Sequence, residues 1–514
     1  MKKRTAVLAG ILVPLVVAGG VVYALRTEGS AEATAAEYLQ AWSKGDYPAM
    51  RGLVADAPGD FERWYKGFHD DLKLTSASFT PEAAHEGDGA TTVDFRAELR
   101  GPVDFGYTGT LRLVERGHRW QVAFSPSVIH RDLKQGTRFK VTQVPAESAP
   151  ILAADGTRLD VPSSPGSVLQ LVEGLKQQYG PRLLGKPSAR VDIVKDGKVV
   201  TTVARGARVP GQPLRTTIDL RVHRAGAQAM EKITKPASLV ALRPSTGEVL
   251  AVVNRPGGFN RALLGKYPPG STFKIVTASA LVAGGMAPDD MVNCPPQQTI
   301  GGFAFHNAEF HDYGRLSFRD AFAHSCNTTF GGLAVDKLGR ARLAEVAHGF
   351  GFGAPIAPGV PAVRADFPDP HDDTDLASAA IGQGRVLASP LNMAAVAGAI
   401  VAGTWRQPRM VPQSLVPAGG TAPRVLEPAV VRALRTLMPA VVSEGTARGI
   451  SFPAGTAGKT GTAEYGSGDN PPTHSWFIGY HRDLAFAVIV EGGGTGAAVA
   501  APVAARFLSG VATG

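Results

Sequence analysis

Apolar residues follow three different rhythms along this chain. The first is continuous: Ala6 to Leu25 is an apolar run, preceded by Lys2, Lys3 and Arg4 and closed by Arg26. Roughly twenty residues at ~1.5 Å each span ~30 Å, the thickness of a bilayer's hydrocarbon core. The basic cluster in front places the N-terminus in the cytoplasm and the rest outside. The run is longer than a usual signal core, so an uncleaved single-pass anchor is expected. A cleaved signal peptide is the competing reading, with Ala31-Glu32-Ala33 as its small-residue site.

The second rhythm is helical. Tyr38, Leu39, Trp42, Tyr47, Met50 and Leu53 recur at helical intervals between Ala31 and Val54, with a break near Gly45-Asp46. The third has period two: Thr91 to Leu99, Phe105 to Val114 and Trp120 to Phe124 alternate, which predicts a curved antiparallel sheet covering those helices. A Pro/Ser/Ala-rich stretch, Pro145 to Pro165, then reads as a boundary. Beyond it a helix (Ser167 to Tyr179) and strands (Ala189 to Lys195, Lys198 to Val203) suggest a small α+β linker. Asp219 is placed to cap a helix running to about Ile233.

From Ala237 the texture changes. Ser238 to Leu242 and Glu248 to Val253 flank the turn Pro244-Ser245-Thr246-Gly247 as a hairpin. Apolar helices and Gly-rich loops follow, then a late strand pair (Ser475 to Tyr480, Leu484 to Glu491) and a terminal helix, Ala497 to Leu508. Strands at both ends with helices between predict one antiparallel sheet closed by sequence-distant strands. The expected fold is therefore multidomain α+β. Its parts are an anchor (1–29), a helix-and-sheet domain (30–142), a linker or dimerisation domain (143–215) and a C-terminal domain (216–514).

Composition changes this picture little. A hydrophobic fraction of 44% and a charged fraction of 19% describe a globular chain. The net charge of +9 comes from dispersed Lys and Arg without interleaved aromatics, which argues against nucleic acid and suits a basic surface near an anionic membrane or wall. Two cysteines occur, Cys294 and Cys326. They could pair outside the membrane or remain two buried thiols, and spacing does not choose between these. No Cys/His metal spacing is visible.

The chemistry sits in three short motifs. Pro268-Pro269-Gly270 stops the chain ahead of Ser271-Thr272-Phe273-Lys274, so Ser271 is expected in a helix's first turn, where unpaired N–H groups favour developing negative charge. Lys274 lies one turn on, with its amine over the Ser271 hydroxyl, and in a partly dry pocket it can act as a base. Ser325-Cys326-Asn327 offers a hydroxyl for a proton relay and an amide to hold a substrate amide. Lys459-Thr460-Gly461-Thr462 reads as the start of a strand, with a cation, two hydroxyls and a glycine that lets a ligand approach the backbone. Each pattern occurs once, and each alone is an ordinary helix face, turn or strand edge.

Together and in this order they resemble the active-serine penicillin-recognising enzymes. Pro244 to Ala251, Ile381-Gly382-Gln383-Gly384 and His474 to Tyr480 narrow the resemblance to the class B penicillin-binding proteins, the monofunctional transpeptidases. The front domain resembles the nuclear-transport-factor-2-like, cystatin-like α+β domain of the methicillin-resistance type. Ala149-Pro150 stands where the family usually has Arg-Gly, which departs from its linker pattern.

The resemblance implies a β-lactamase-like fold, with helices on both sides of the sheet, and a mechanism without metal or organic cofactor. Ser271, deprotonated by Lys274, would attack the penultimate D-Ala carbonyl of a peptidoglycan stem peptide. The backbone N–H groups of Ser271 and Thr462 would hold the oxyanion. Ser325, near Lys459, would pass a proton to the leaving D-Ala, and Asn327 would bind the donor amide. Lys459, Thr460 and Thr462 would take the terminal carboxylate, with Gly461 leaving room for the donor. β-Lactams would acylate the same serine, and division or elongation proteins are further expected partners. Water as acceptor would make the chain a carboxypeptidase or β-lactamase, and a β-lactam-sensing receptor is the non-enzymatic alternative.

Overall fold

The computed structural model describes residues 29–87, 89–468 and 471–513, and the expected anchor at Ala6 to Leu25 lies outside them. Among the described residues no helix is long and apolar enough to cross a membrane. The chain forms two compact units. One comprises residues up to Ala146 with Lys186–Val209, the other Glu147–Gly185 with Pro210–Gly514. Residues 143–215 therefore contribute to both. The hairpin Ser188–Lys195/Lys198–Arg205 joins Thr137–Val144 in a three-stranded sheet of the first unit, and the helix Gly166–Leu183 belongs to the second.

In the first unit the helical rhythm becomes Ala31–Lys44 and Tyr47–Gly52, broken at Gly45, whose φ of 69° few other residues adopt. The alternating segments become Ala90–Arg100, Phe105–Arg116 and Arg119–Ala123, central in a five-stranded sheet. Their inward positions, among them Phe95, Leu111 and Val122, are buried against Tyr38, Trp42 and Tyr65. Several elements go beyond the expectation, among them the helix Phe61–Leu72, the strand Thr137–Val144 and the edge strand Ser76–Gly87. The edge strand buries one side chain, Phe79, which stacks on Trp42 at 3.7 Å, so it carries no alternation to read.

The second unit is built on an antiparallel sheet in the order Glu248–Arg255, Ala237–Arg243, Leu484–Val490, Thr473–His481, Ala457–Glu464. The hairpin is thus closed by the late strands, and the strand carrying Lys459 forms an edge. Asp219 caps Leu220–Ala229 as expected, accepting from the N–H groups of Arg221 and Val222. That helix stops at Ala229, short of Ile233, because tight turns lead into Pro236. It packs on the sheet with Ala501–Thr513. Pro390–Ala402 is apolar all round and buried, as a helix enclosed by other elements must be.

Candidate active site

The chain before Ser271 is pinned by hydrogen bonds from three directions. Trp476 Nε1 donates to Pro268 O (3.0 Å), Gly270 N donates to Gly382 O (2.8 Å), and the Thr272 hydroxyl returns to Pro269 O (2.7 Å). Gly270–Phe273 is a 3₁₀ turn, and the α-helix starts at Lys274 and runs to Ala283. Ser271 therefore stands just ahead of the α-helix and not in its first turn, because Gly270 with φ 54° tightens the entry. Three glycines make the approach possible. A Cβ on Gly270 would lie 2.7 Å from Thr462 O, one on Gly382 would overlap Gly270 O, and one on Gly461 would lie 2.8 Å from Thr272 Cγ2. The space at Gly461, expected to admit a ligand, is used by the turn that carries the serine.

Lys274 is fully buried, and its amine lies 3.1 Å from Ser271 Oγ. The same nitrogen is 2.6 Å from Ser325 O, 3.3 Å from Ser325 Oγ and 2.7 Å from Asn327 Oδ1. The first two motifs, 51 to 53 residues apart, thus meet at one amine. Ser325 has φ 63° and ends the helix Phe318–Ala323 with its turn, and Asn327 opens the helix Asn327–Leu333. Asn327 Nδ2 donates to His306 O (3.0 Å), leaving one amide N–H for a substrate. The cysteines are paired, with 6.0 Å between their Cα atoms, which ties Cys326 to the strand Met291–Cys294.

The third motif lies on the edge strand Ala457–Glu464. Lys459 is fully buried, 3.2 Å from Thr460 O and 5.6 Å above the Phe322 ring. The Thr460 hydroxyl is 2.6 Å from that of Thr446, whose backbone N–H donates to Ala323 O (3.0 Å). Thr462 Oγ1 accepts from Gly496 N (3.2 Å). Thr446 was not singled out by the sequence, and neither was Asn307, whose side chain meets Asn327. Short polar side chains in loops give no local signal of the distant residue they serve.

With this geometry in place, the comparisons with known proteins bear on the same segment. Residues 237–509 match the penicillin binding protein transpeptidase domain. The chain belongs to that family. Residues 30–137 of this penicillin-binding protein match the NTF2-like N-terminal transpeptidase domain. It is 30% identical over 347 residues to the peptidoglycan D,D-transpeptidase PbpA of Mycobacterium tuberculosis, covering 56% of this chain and 70% of that one. Identity to PbpA of Mycolicibacterium smegmatis is 31% over 348 residues, with the same coverage. Among solved structures, the penicillin G acyl-enzyme complex of M. tuberculosis penicillin-binding protein A aligns with a TM-score of 0.57 at 26% identity, over 71% of this chain and 99% of that one. The D,D-transpeptidase domain from Eggerthella lenta shares the fold, with a TM-score of 0.59 at 24% identity, over 72% and 99%.

The electrostatics of this penicillin-binding protein follow from burial. Desolvation pushes the Lys274 amine well below its ordinary value, and the charge of Lys459 pushes it the same way. Burial alone brings Lys459 down to about 7. A neutral Lys274 amine has two protons and one lone pair. Ser325 O and Asn327 Oδ1 can only accept, so they take the two protons. The lone pair is left for a hydroxyl, and Ser271 Oγ stands at hydrogen-bond distance. The pocket thus sets the lone pair of a buried amine against the Ser271 hydroxyl.

Proposed function

We propose that this chain is a peptidoglycan D,D-transpeptidase working through a Ser271 acyl-enzyme. The observation that carries the reading is the buried Lys274 amine, its two protons held by carbonyl oxygens and its third neighbour the Ser271 hydroxyl. Lys274 takes the Ser271 proton as Oγ attacks the penultimate D-Ala carbonyl of a stem peptide. The C–O bond forms, the C–N bond to the terminal D-Ala breaks, and Ser325 passes the proton to the leaving amine. Backbone N–H groups of Ser271 and Thr462 hold the oxyanion, and the packing of Gly270 against Thr462 supports that pairing. Asn327 offers its remaining N–H to the donor. Lys459, Thr460 and Thr462 receive the terminal carboxylate beside the open edge of Ala457–Glu464, and Gly461 keeps that strand against the serine. An amine of a second stem then attacks the ester, forms the cross-link and returns the proton through Lys274.

The relatives support the substrate: two are named peptidoglycan D,D-transpeptidases, and one solved structure is a penicillin G acyl-enzyme. The anchor at Ala6 to Leu25, with Lys2, Lys3 and Arg4 in front, supports a single-pass membrane protein with its catalytic domain outside. With the front domain taken as 30–142 and the transpeptidase as 216–514, the front domain is read as a spacer, and 143–215 as a linker whose parts belong to both compact units. One related structure is described as a peptidoglycan synthase complex, which supports division or elongation proteins as partners.

A fluorescent penicillin tests the reading. The full-length chain is expected to form a stable adduct that Ser271→Ala abolishes, and labelling that survives the substitution would refute the nucleophile. Mass spectrometry of a stem peptide incubated with an acceptor amine should show the cross-linked product. Trimmed donor alone would identify a carboxypeptidase, and fast β-lactam turnover a β-lactamase.

A further inference from the structure

The helix Asn327–Leu333 has no cap of its own. Its N-cap residue is Cys326, whose sulfur is bonded to Cys294, so no side chain there accepts from the first turn. The residue before it, Ser325, is held at φ 63°, a backbone state that persists in a non-glycine residue only where its surroundings enforce it. Both residues that clamp Lys274 therefore lie on a segment that cannot hold itself.

Asn307, 20 residues upstream, supplies what is missing. Its Oδ1 accepts from Asn327 N (2.9 Å), Thr328 N (3.3 Å) and the Thr328 hydroxyl (3.3 Å). Its Nδ2 donates to Pro295 O (2.8 Å) and His311 O (3.0 Å). The side chain is buried at 2% exposure, so each of these bonds replaces one to water. Its neighbour His306 receives Asn327 Nδ2 at its carbonyl. The His306-Asn307 pair thus grips Asn327 at backbone and side chain together. Asn327 Oδ1 then points at the Lys274 amine, 2.7 Å away.

We propose that Asn307 is a positioning residue for acylation: it caps the helix that Cys326 cannot cap, and so holds Asn327 against the Lys274 amine. The proposal rests on Lys274 being the base. It places the main effect on the acylation rate constant, since the encounter keeps the carboxylate contacts of the other wall of the cleft and loses at most the one N–H that Asn327 offers the donor.

The test compares full-length variants by stopped-flow acylation with a fluorescent penicillin. It separates the rate constant from the dissociation constant of the encounter complex, normalised to folded protein. Asn307→Leu keeps the volume and loses every bond. It should lower the rate constant at least tenfold and change the dissociation constant less than threefold. Thr329→Val cuts the same helix's bond to Asn293 O without touching Asn307 or Asn327 and should leave the rate constant within twofold. If the leucine variant does not fold, Asn307→Ser, too short to reach Asn327, carries the same expectation. An unchanged rate constant in the leucine or serine variant overturns the proposal. So does an equal loss in Thr329→Val. None of these touches the function itself, which fails only if the wild-type chain takes no label or Ser271→Ala keeps it.

Discussion

Lys459 is fully buried at a cost to stability, and replacing it should stabilise the protein it disables. Burial lowers its amine from the ordinary 10.5 to about 7. The unfolded chain keeps a proton there up to about pH 10.5, the folded chain only up to about pH 7. Unfolding therefore takes up a proton between those values, and stability rises with pH across that window. The cost is complete at and below pH 7, where it amounts to roughly 5 kcal/mol at ~1.4 kcal/mol per pH unit. Lys459→Met keeps the volume and removes the titration, and loses the bond to Thr460 O, worth about 1 kcal/mol. The net expectation is about 4 kcal/mol of added stability at pH 7, roughly 6 °C in Tm for a unit of this size. The gain should shrink as pH rises and reach zero or slightly below near pH 10.5. Loss of the Lys459 charge also removes one of the two causes that depress Lys274, which adds to the gain at neutral pH. Scanning calorimetry of the full-length chain at pH 7, 8.5 and 10.5, following the transition of the second unit, measures this. A variant no more stable than wild type at pH 7, or a gain independent of pH, would refute the reasoning. The same variant should lose penicillin acylation, the cost to function expected when a strained site is relaxed.

Three further outcomes follow from the same geometry. Reducing the Cys294–Cys326 bond, which closes a loop of sequence separation 32, should cost about 4 kcal/mol. It should also slow acylation, because Cys326 lies between Ser325 and Asn327, and calorimetry and penicillin labelling with and without reductant would show both. Gly382→Ala should cut acylation at least tenfold in a folded protein, since its Cβ would overlap Gly270 O at φ 75°. Gly384→Ala, whose nearest neighbour is the Ser378 Cβ at 3.5 Å, is the milder control for backbone strain in the same assay. Thr446→Val removes the 2.6 Å bond to Thr460 and should raise the donor's KM about fivefold, with kcat little changed.

Much of the fold was legible because burial on one face leaves a period. Ala90–Arg100 buries every second residue, and the strands Thr473–His481 and Leu484–Val490 stood out as apolar runs bounded by turns. Ser76–Gly87 was not legible, since an edge strand with one buried residue has no period to show. The helix Phe61–Leu72 is different: Phe61, Tyr65, Phe68 and Leu72 do recur at helical spacing, and the signal was there to be read. The hairpin Ser188–Lys195/Lys198–Arg205 was visible as two strands. Its membership of the first unit was not, because pairing with Thr137–Val144 is a contact across the chain that no local pattern encodes.

The site divides along the same line. Residue types and order put Ser271, Lys274, Ser325, Asn327 and Lys459 forward, and all but Lys459 share hydrogen bonds at one amine. What the motifs could not contain is the charge on that amine. A lysine one turn from a serine on a solvated helix is a cation and no base. Here burial removes the water that would keep the Lys274 amine protonated, and the charge of Lys459 pushes it the same way. Two carbonyl oxygens then use up the protons it retains. That enclosure depends on backbones meeting more closely than side chains permit, and Gly270, Gly382 and Gly461 are where they meet. The glycines beside the motifs are therefore as much a part of the proposed base's enclosure as the lysine is. An alanine at any of them should disturb the serine before it disturbs the fold.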